Sequence, residues 1–399
     1  MLERLLTQID PDVARILDRA LAGSELGVTD AVRLLACRGA DFHALLQAAD
    51  LARFEDSGDD VSYVVCRNIN FTNICYRGCS FFGFARHKHE ADAEDQSLSE
   101  ILSKCRDGVA RGATEVCIQG GIHPNKDHNH YREILEAVKG EFPDIHIHAY
   151  SPEEIDFGHR KSGMKLAHYL EWLVRAGLGS MPGTAAEILD DELRALIAPR
   201  KIKTARWVEI VETAHSIGLR STATLLYGHV ESRQQVADHL ALLRDIQKRT
   251  GGFTELVPLG FIHEKNALYN FMGARPGASM YEDLRLVAVA RLFLRPWITN
   301  IKVSWVKMGH KMAQMGLSSG ANDFGGTLME ESVSRGSGSL YGENTPPEEL
   351  RRLIREIGRV PLERSTTYEV LRRFDDPALD PPSREPRREL EVDAAAVAT

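Results

Sequence analysis

The chain has 399 residues, of which 43% are hydrophobic and 27% charged, and its formal net charge is −8. This composition is typical of a globular protein with a sizeable core, and the dispersed charge argues against a nucleic-acid partner. No run approaches the ~18 apolar residues of a membrane-spanning helix, and the first residues lack a secretory signal pattern. The six scattered cysteines argue against a secreted disulfide framework, so we expect a reducing, cytoplasmic environment.

The chain divides into a helical beginning and a longer region with a βα rhythm. Residues 1–55 carry apolar residues at helical spacing between glycines, which predicts an N-terminal helical segment. Further on, short β-rich runs recur about every 30–40 residues, with amphipathic helices between them. The predicted strands are 62–72, 115–121, 145–151, 176–183, 219–228, 253–261, 299–306 and 324–329.

Helix signals separate these strands. Ser97 and Glu100 form a capping-box pair before an apolar stripe, and Ser232 and Gln235 form another. Gly251 follows the second stripe and predicts the end of that helix.

Eight strand–helix alternations predict a parallel sheet that closes into a barrel. The expected fold is α/β, a (β/α)8 TIM-type barrel over residues 56–340. A C-terminal helical extension is predicted over 341–375, and the proline- and charge-rich residues 376–399 are typical of a disordered tail.

Unusual residues concentrate where the predicted strands end, which is where barrel enzymes bind their substrates. Any one of them has an ordinary structural explanation: two glycines form a tight turn, and a single histidine is more often a satisfied structural residue. Because all of them follow strand ends, we expect a functional site at that end of the barrel, which we call the mouth. We expect four of them to line it as candidates for proton transfer: His148, Tyr227, His229 and His263.

The loop after the first strand reads CYRGCSFFGF over residues 75–84. Two close thiols in a reducing compartment favour metal or redox chemistry, because thiolates are the ligands that iron–sulfur clusters prefer. The four other cysteines fall within predicted strands or on helix faces and are interpreted as small buried hydrophobes: Cys37, Cys66, Cys105 and Cys117.

This loop resembles the cluster loop of the radical S-adenosylmethionine enzymes, Cys-x3-Cys-x-aromatic-Cys. Phe81 matches the aromatic position, whereas Phe82 stands where the third cysteine belongs. Sequence motifs along the rest of the chain resemble those of one branch of these enzymes, the 4-hydroxyphenyl transferases of deazaflavin (FO) synthesis. Its motifs here are CIQGGIHP, IHIHAYSPEEI, GSMPGTAAEIL, YGHVE, FTELVPLGFIHE, SWVKMG and GANDFGGTLMEE.

The resemblance implies a [4Fe-4S] cluster and S-adenosyl-L-methionine as cofactors. It implies L-tyrosine and 5-amino-6-(D-ribitylamino)uracil as substrates. A 5′-deoxyadenosyl radical would start the transfer of the 4-hydroxybenzyl group, with release of 2-iminoacetate, 5′-deoxyadenosine and methionine. A reductant protein would supply the electron, and a partner deazaflavin synthase would act on the product.

The resemblance also implies roles for particular residues. Cys75 and Cys79 would bind the cluster, and the Gly120–Gly121 turn would let backbone approach the methionine end of S-adenosylmethionine. Ser151 and Glu187 would bind its polar groups and ribose hydroxyls.

Phe82 leaves several interpretations open, because a phenyl ring cannot bind iron. The chain is an inactive variant that keeps the fold, or holds a labile cluster with an outside ligand, or carries a single sequence change in an otherwise ordinary enzyme. Cys66 as a substitute ligand, and zinc bound by Cys75, Cys79, His87 and His89, are further hypotheses. Two other functions also stay open: a futalosine-pathway (menaquinone) radical enzyme, and a non-catalytic barrel without a cluster.

Overall fold

The computed structural model describes residues 7–380. Its helices are α1 Pro11–Leu21, α2 Val28–Leu34, α3 Gly39–Ser57, α4 Leu98–Ala110, α5 His128–Glu141, α6 Pro152–Ser162, α7 Leu166–Ala176, α8 Asp191–Ile197, α9 Thr204–Ser216, α10 Arg233–Thr250, α11 Ala267–Met272, α12 Met280–Leu294, α13 Trp305–Leu317, α14 Ser332–Ser337 and α15 Pro347–Glu356. Its strands are β1 Asp60–Val64, β2 Cys66–Asn70, β3 Glu115–Gln119, β4 His146–Ala149, β5 Ser221–Tyr227, β6 Phe253–Gly260, β7 Asp323–Gly326, β8 Val360–Arg364 and β9 Val370–Arg373.

Eight parallel segments close into a barrel. β2 pairs with β3, β3 with β4, and β5 with β6, while β7 pairs with β1. Residues 180–181 bridge β4 to β5, and residues 301–302 bridge β6 to β7. β1 and β2 follow each other directly, with only Val65 between them, and together act as the first segment of the barrel. The ring of paired segments is therefore closed, and the predicted TIM-type barrel is confirmed.

The fourth and seventh predicted strands are much shorter than expected. Only residues 180–181 and 301–302 pair there, and α13 already begins at Trp305 within the predicted strand 299–306. The predicted helix boundaries are confirmed: the Ser97 and Ser232 capping boxes are present, and Gly251 ends α10 in the left-handed region at φ 63°.

The N-terminal helices pack outside the barrel's helical ring. α3 lies against α12, and α2 against α10. Hydrogen bonds fix the connection, since the Nη1 atom of Arg244 donates to the Leu26 carbonyl at 2.8 Å and that of Arg285 to the Cys37 carbonyl at 3.0 Å. The predicted helical segment is therefore attached to the barrel along its side.

The segment predicted as a helical extension also contains two strands. β8 pairs in parallel with β1, and β9 pairs antiparallel with β8. Arg364, at the end of β8, is buried and forms ion pairs with Asp323 at 2.5 Å and with Glu255 at 3.3 Å. This extension closes the end of the barrel where its strands begin.

The predicted disordered tail falls largely outside the described residues, which end at residue 380. Within the described part, Pro377–Leu379 form a 3-10 turn, and Asp380 pairs with Arg351 and Arg355. No helix in residues 7–380 combines the length and the apolar character required to cross a membrane.

Candidate active site

The cysteine loop lies at the barrel mouth, directly after β2. The amide of Cys75 donates to the Arg86 carbonyl at 3.0 Å, which ties the loop to its own return segment. Ser80 joins it to two neighbouring helices: its amide donates to the Ile197 carbonyl at 2.9 Å, and its carbonyl accepts from the Leu268 amide at 2.7 Å. The loop is therefore held by α8 and α11 in addition to the barrel.

One cavity of about 200 Å³ collects the predicted metal and cofactor residues beneath this loop. They follow four different barrel segments, so only the closure of the barrel brings them together. Cys75, Cys79, Phe82, Gly120, Gly121, Ser151 and Glu187 all line it. Their shared location fits the predicted roles, which remain predictions.

The two glycines let the cysteine loop pack against the end of β3. A Cβ atom on Gly120 would lie 2.5 Å from the ring of buried Phe71, and one on Gly121 would collide with the Ile74 carbonyl. The Gly120 amide already donates to Oε1 of Glu154 at 3.0 Å. The space beside Gly120 is thus filled by the protein itself, which gives this glycine a packing role.

Ser151 begins α6 and has a structural partner in Glu154. Its hydroxyl donates to Oε2 of Glu154 at 2.7 Å and accepts from the Glu154 amide at 3.3 Å, which completes a buried capping box. Burial raises the pKa of Glu154 to about 7. The site therefore contains a carboxyl group that titrates near neutrality, which sequence reasoning did not single out.

Glu187 is engaged by two cations. Lys201 Nζ lies 2.7 Å from Oε1, and Arg194 Nη1 lies 3.3 Å from Oε2. Burial alone would raise the pKa of Glu187, but the two cations outweigh it and hold this pKa below its ordinary value. Glu187 is thus an ionised anchor for Lys201 at the cavity wall.

A second ion pair in this cavity joins the cysteine loop to α6. Arg77 Nη2 lies 2.6 Å from Oε1 of Glu153, whose other oxygen accepts from the Ile202 amide at 2.9 Å. Sequence reasoning missed Arg77 and Lys201. Arg77 stands between the two cysteines, and that position was the available signal, whereas Lys201 lies in a loop without any motif.

A second cavity of about 240 Å³ lies within the barrel, below the first, and shares Asn70, Gln119, Thr184 and Lys307 with it. His148 lines this inner cavity, with Nδ1 2.7 Å from the Ser180 hydroxyl. Burial lowers the pKa of His148 to about 4, so the ring is neutral at physiological pH. Of the four predicted mouth residues, His148 is the one that faces the barrel interior.

The expectation that Tyr227 and His229 line the mouth is wrong. Both line a separate cavity of about 540 Å³ between the loop after β5 and α12. The Tyr227 hydroxyl donates to Asp283 at 2.7 Å, and His229 Nε2 lies 3.1 Å from the Leu226 carbonyl. The cause is strand alternation: Leu226 faces the cavity beneath the cysteine loop, so its neighbour Tyr227 faces the helices.

His263 follows β6 but lines none of these three cavities. Its ring packs edge-on against Tyr269, with centroids 4.6 Å apart, and Nδ1 lies 3.7 Å from Glu264. The structure therefore gives His263 a place in the loop between β6 and α11, apart from the cysteines.

The residues present do not fit a cluster held by three thiolates. Phe82 lies beside the two cysteines, and its ring packs against Phe81 and Phe84 with centroids 6.3 and 5.8 Å away. Among the described cysteines, no third one lines this cavity.

The two substitute-ligand hypotheses also lack support from the geometry. Cys66 lines the inner cavity instead, packed against Gly326. Across residues 7–380, no three His, Cys, Asp or Glu side chains are placed to share one metal ion. A zinc site that includes His87 and His89 is therefore not formed.

The family models, taken together with this closed parallel barrel and the cysteine loop after β2, identify the chain as a radical S-adenosylmethionine protein. The Radical SAM superfamily model matches residues 69–243, and a model described as the CofH/MqnC C-terminal region matches residues 250–376. Members of this superfamily use S-adenosylmethionine and a [4Fe-4S] cluster.

Comparison with individual relatives identifies the family within this superfamily. The chain is 46% identical over 339 residues to the 5-amino-6-(D-ribitylamino)uracil–L-tyrosine 4-hydroxyphenyl transferase of Methanothermobacter thermautotrophicus, covering 85% of this chain and 92% of that one. The enzyme of the same name from Archaeoglobus fulgidus is 50% identical over 323 residues, covering 81% and 92%. The chain belongs to the family of 5-amino-6-(D-ribitylamino)uracil–L-tyrosine 4-hydroxyphenyl transferases.

Two further comparisons concern a longer relative and the fold. FO synthase of Mycobacterium tuberculosis is 46% identical over 366 residues, which cover 91% of this chain but 43% of that protein. Among solved structures, methylornithine synthase PylB matches with a TM-score of 0.69 at 20% identity, covering 87% of this chain and 97% of PylB. The hydrogenase maturase HydG gives 0.71 at 16%, covering 92% and 79%. At such identities these structures support the fold alone.

Proposed function

We propose that this chain is a tyrosine 4-hydroxyphenyl transferase whose activity is impaired by Phe82. The proposal rests on one observation: a single cavity is lined by the cysteine loop and by residues of the motifs that resemble the family. These residues are Cys75, Cys79, Phe82, Gly120, Gly121, Ser151 and Glu187. The proposed substrates are L-tyrosine and 5-amino-6-(D-ribitylamino)uracil, which the relatives' names contain. The products beside the joined molecule would be 2-iminoacetate, 5′-deoxyadenosine and methionine.

The relatives include a longer protein named FO synthase. The chain spans nearly all of the archaeal transferases but only 43% of the mycobacterial FO synthase. We infer that a deazaflavin synthase activity acts on the product and that a reductant protein supplies electrons. The scattered free cysteines suit a reducing cytoplasm, which is the location we propose.

Replacement of one amino acid tests the proposal. Phe82→Cys restores the third thiol at the edge of the cavity, and each thiolate contributes charge and a metal–sulfur bond that a phenyl ring lacks. After anaerobic reconstitution we expect the variant to bind about four irons and four sulfides per chain, whereas the present chain binds fewer and loses them in air. Formation of the tyrosine–uracil product should rise in parallel.

Phe84→Cys is the matched control. Phe84 lines the same cavity and packs against Phe82, but its spacing from Cys79 differs from that of the family loop. It should not restore cluster binding. If the present chain already holds a full, stable cluster and forms product, the proposed impairment is wrong.

A cluster-free barrel is the second candidate, and Phe82 itself favours it. If neither the present chain nor the Phe82→Cys variant binds iron, the loop has lost its metal function and this second candidate prevails. The family model that matches residues 250–376 is described as the CofH/MqnC C-terminal region, so the assay should also include futalosine-type substrates. Product from those substrates, with none from tyrosine and the uracil, would redirect the assignment.

A further inference from the structure

Four cations line the two connected cavities, and three of them differ from the fourth in having a carboxylate partner. Three cations have carboxylate partners: Arg77 with Glu153 at 2.6 Å, Lys201 with Glu187 at 2.7 Å, and Lys302 with Glu255 at 2.8 Å. Lys307 differs from them. No carboxylate among the described residues lies within ion-pair distance of its ammonium group, which donates one hydrogen bond, at 3.2 Å, to the Ser334 hydroxyl.

Lys307 occupies the junction of the two cavities and lines both. It belongs to the first turn of α13, immediately after the seventh barrel segment. Burial lowers the pKa of Lys307, and the charge of Glu331 offsets this effect only in part. A shielded ammonium group with one neutral partner is costly to the protein alone and is stabilised by a bound anion.

Glu331 is the complementary group. It is 8% exposed, lines the inner cavity with Lys307, and takes part in no ion pair among the described residues. One of its oxygens accepts from the Ser334 amide at 2.7 Å. Ser334 therefore holds both charged groups, its hydroxyl facing the lysine and its amide facing the glutamate, while the two charges stay too far apart to pair with each other.

An unpaired cation and an unpaired anion beside one cavity match a ligand that carries both charges. We propose that Lys307 and Glu331 hold the α-carboxylate and α-ammonium groups of an amino-acid ligand. Leu259 and Val333 line both cavities near this pair and offer apolar surface to the ligand's side chain. The identity of the amino acid as L-tyrosine rests on the proposed function; the charge pairing does not.

Binding measurements test this pairing without any need for turnover. Isothermal titration calorimetry would compare L-tyrosine with tyramine, which lacks the carboxylate, and with 3-(4-hydroxyphenyl)propionate, which lacks the amine. We expect both analogues to bind about 10-fold or more weakly, since each loses a charge-assisted hydrogen bond. S-adenosylmethionine also carries an amino-acid head group, so a parallel titration with it separates the two sources.

Three variants assign the charges. Lys307→Met should abolish the preference for tyrosine over tyramine, and Lys307→Arg should retain part of it. Glu331→Gln should abolish the preference over the propionate while its amide oxygen keeps the Ser334 contact that begins α14. Lys311→Met is the matched control, because Lys311 is exposed four residues further along the chain, beyond the kink that Gly309 makes in α13; it should bind like the parent protein.

Each outcome decides one question. If Lys307→Met binds tyrosine as tightly as the parent, the inference is overturned while the proposed function stands. If tyrosine does not bind but another α-amino acid binds in a Lys307-dependent manner, the inference holds and the proposed function fails. If the variants weaken only S-adenosylmethionine, the head group belongs to the cosubstrate. If no amino acid binds to the parent or to Phe82→Cys, the inference is wrong.

Discussion

Two groups of buried charged side chains, one toward each end of the barrel, differ in whether they form ion pairs. At the end where the strands begin, Arg364 lies between Asp323 and Glu255, and each of these groups is almost completely buried and paired. Toward the mouth, Lys307 and Glu331 line a cavity without an ion-pair partner among the described residues.

The difference distinguishes charged side chains that stabilise the fold from charged side chains that can bind a ligand. A buried ion pair with satisfied hydrogen bonds fixes the elements that it joins, and here it attaches the C-terminal strand β8 to β6 and β7. A shielded charge without a partner adds no such connection and lowers stability until something binds. Variants at the two ends should accordingly fail in different ways.

The largest effect is expected at the closed end. Arg364→Met would leave Asp323 without its cation in a fully buried position. Breaking one side of a buried pair costs about 3–5 kcal/mol, so we expect the free energy of unfolding, measured in urea, to fall by that amount. A loss below about 1 kcal/mol would show that the closed end does not depend on this pair.

Arg373→Met provides the control for that measurement. Arg373 pairs with Asp60 on β1, but its side chain is 43% exposed. Exposed pairs contribute roughly 0–1 kcal/mol, so this variant should unfold close to the parent.

A pH-dependent effect is expected at the mouth. Because burial raises the pKa of Glu154 to about 7 from the ordinary 4.5, the folded state retains a proton that the unfolded state releases. This stabilising contribution is complete below pH 4.5 and is lost as the pH rises through 7. Over this window it amounts to about 3 kcal/mol, and Glu154→Gln should remove the dependence from urea-unfolding curves.

The capping box at α4 supplies the matching control. Glu100 makes the same pair of contacts with Ser97, but in solvent, where hydrogen bonds from Ser97 lower the pKa of Glu100. Glu100→Gln should therefore leave the pH dependence between 5 and 8 unchanged. An equal effect of the two variants would mean that burial does not distinguish the two carboxyl groups.

A smaller effect is expected from Gly120→Val. The new side chain would overlap the Phe71 ring, and overpacking of this kind costs about 1–3 kcal/mol in the free energy of unfolding. Phe71→Leu should recover part of the loss in the double variant. Gly140→Ala, where a Cβ meets no atom within 4 Å, should not destabilise the protein. Weaker S-adenosylmethionine binding at unchanged stability would instead restore a ligand-contact role for Gly120.

The barrel was predictable because its signals are local. Strand spacing, the capping boxes at Ser97 and Ser232, and the cysteine spacing can each be read within a short stretch of sequence. The mouth residues were less predictable. The end of β5 marks the neighbourhood of Tyr227, but the direction of its side chain depends on which face of the strand turns inward, and Leu226 occupies that face.

The sequence alone determined the repeat of strands and helices, the cysteine loop and the aromatic residue that interrupts it, because each depends on neighbouring residues in the chain. Only the tertiary structure decided which charges are paired. Lys201 and Glu187 lie 14 residues apart, Arg77 of the cysteine loop pairs with Glu153 of α6, and Lys302 pairs with Glu255 on the neighbouring strand β6. Charge pairing requires distances of a few ångströms, and barrel closure sets those distances between residues that are remote in sequence.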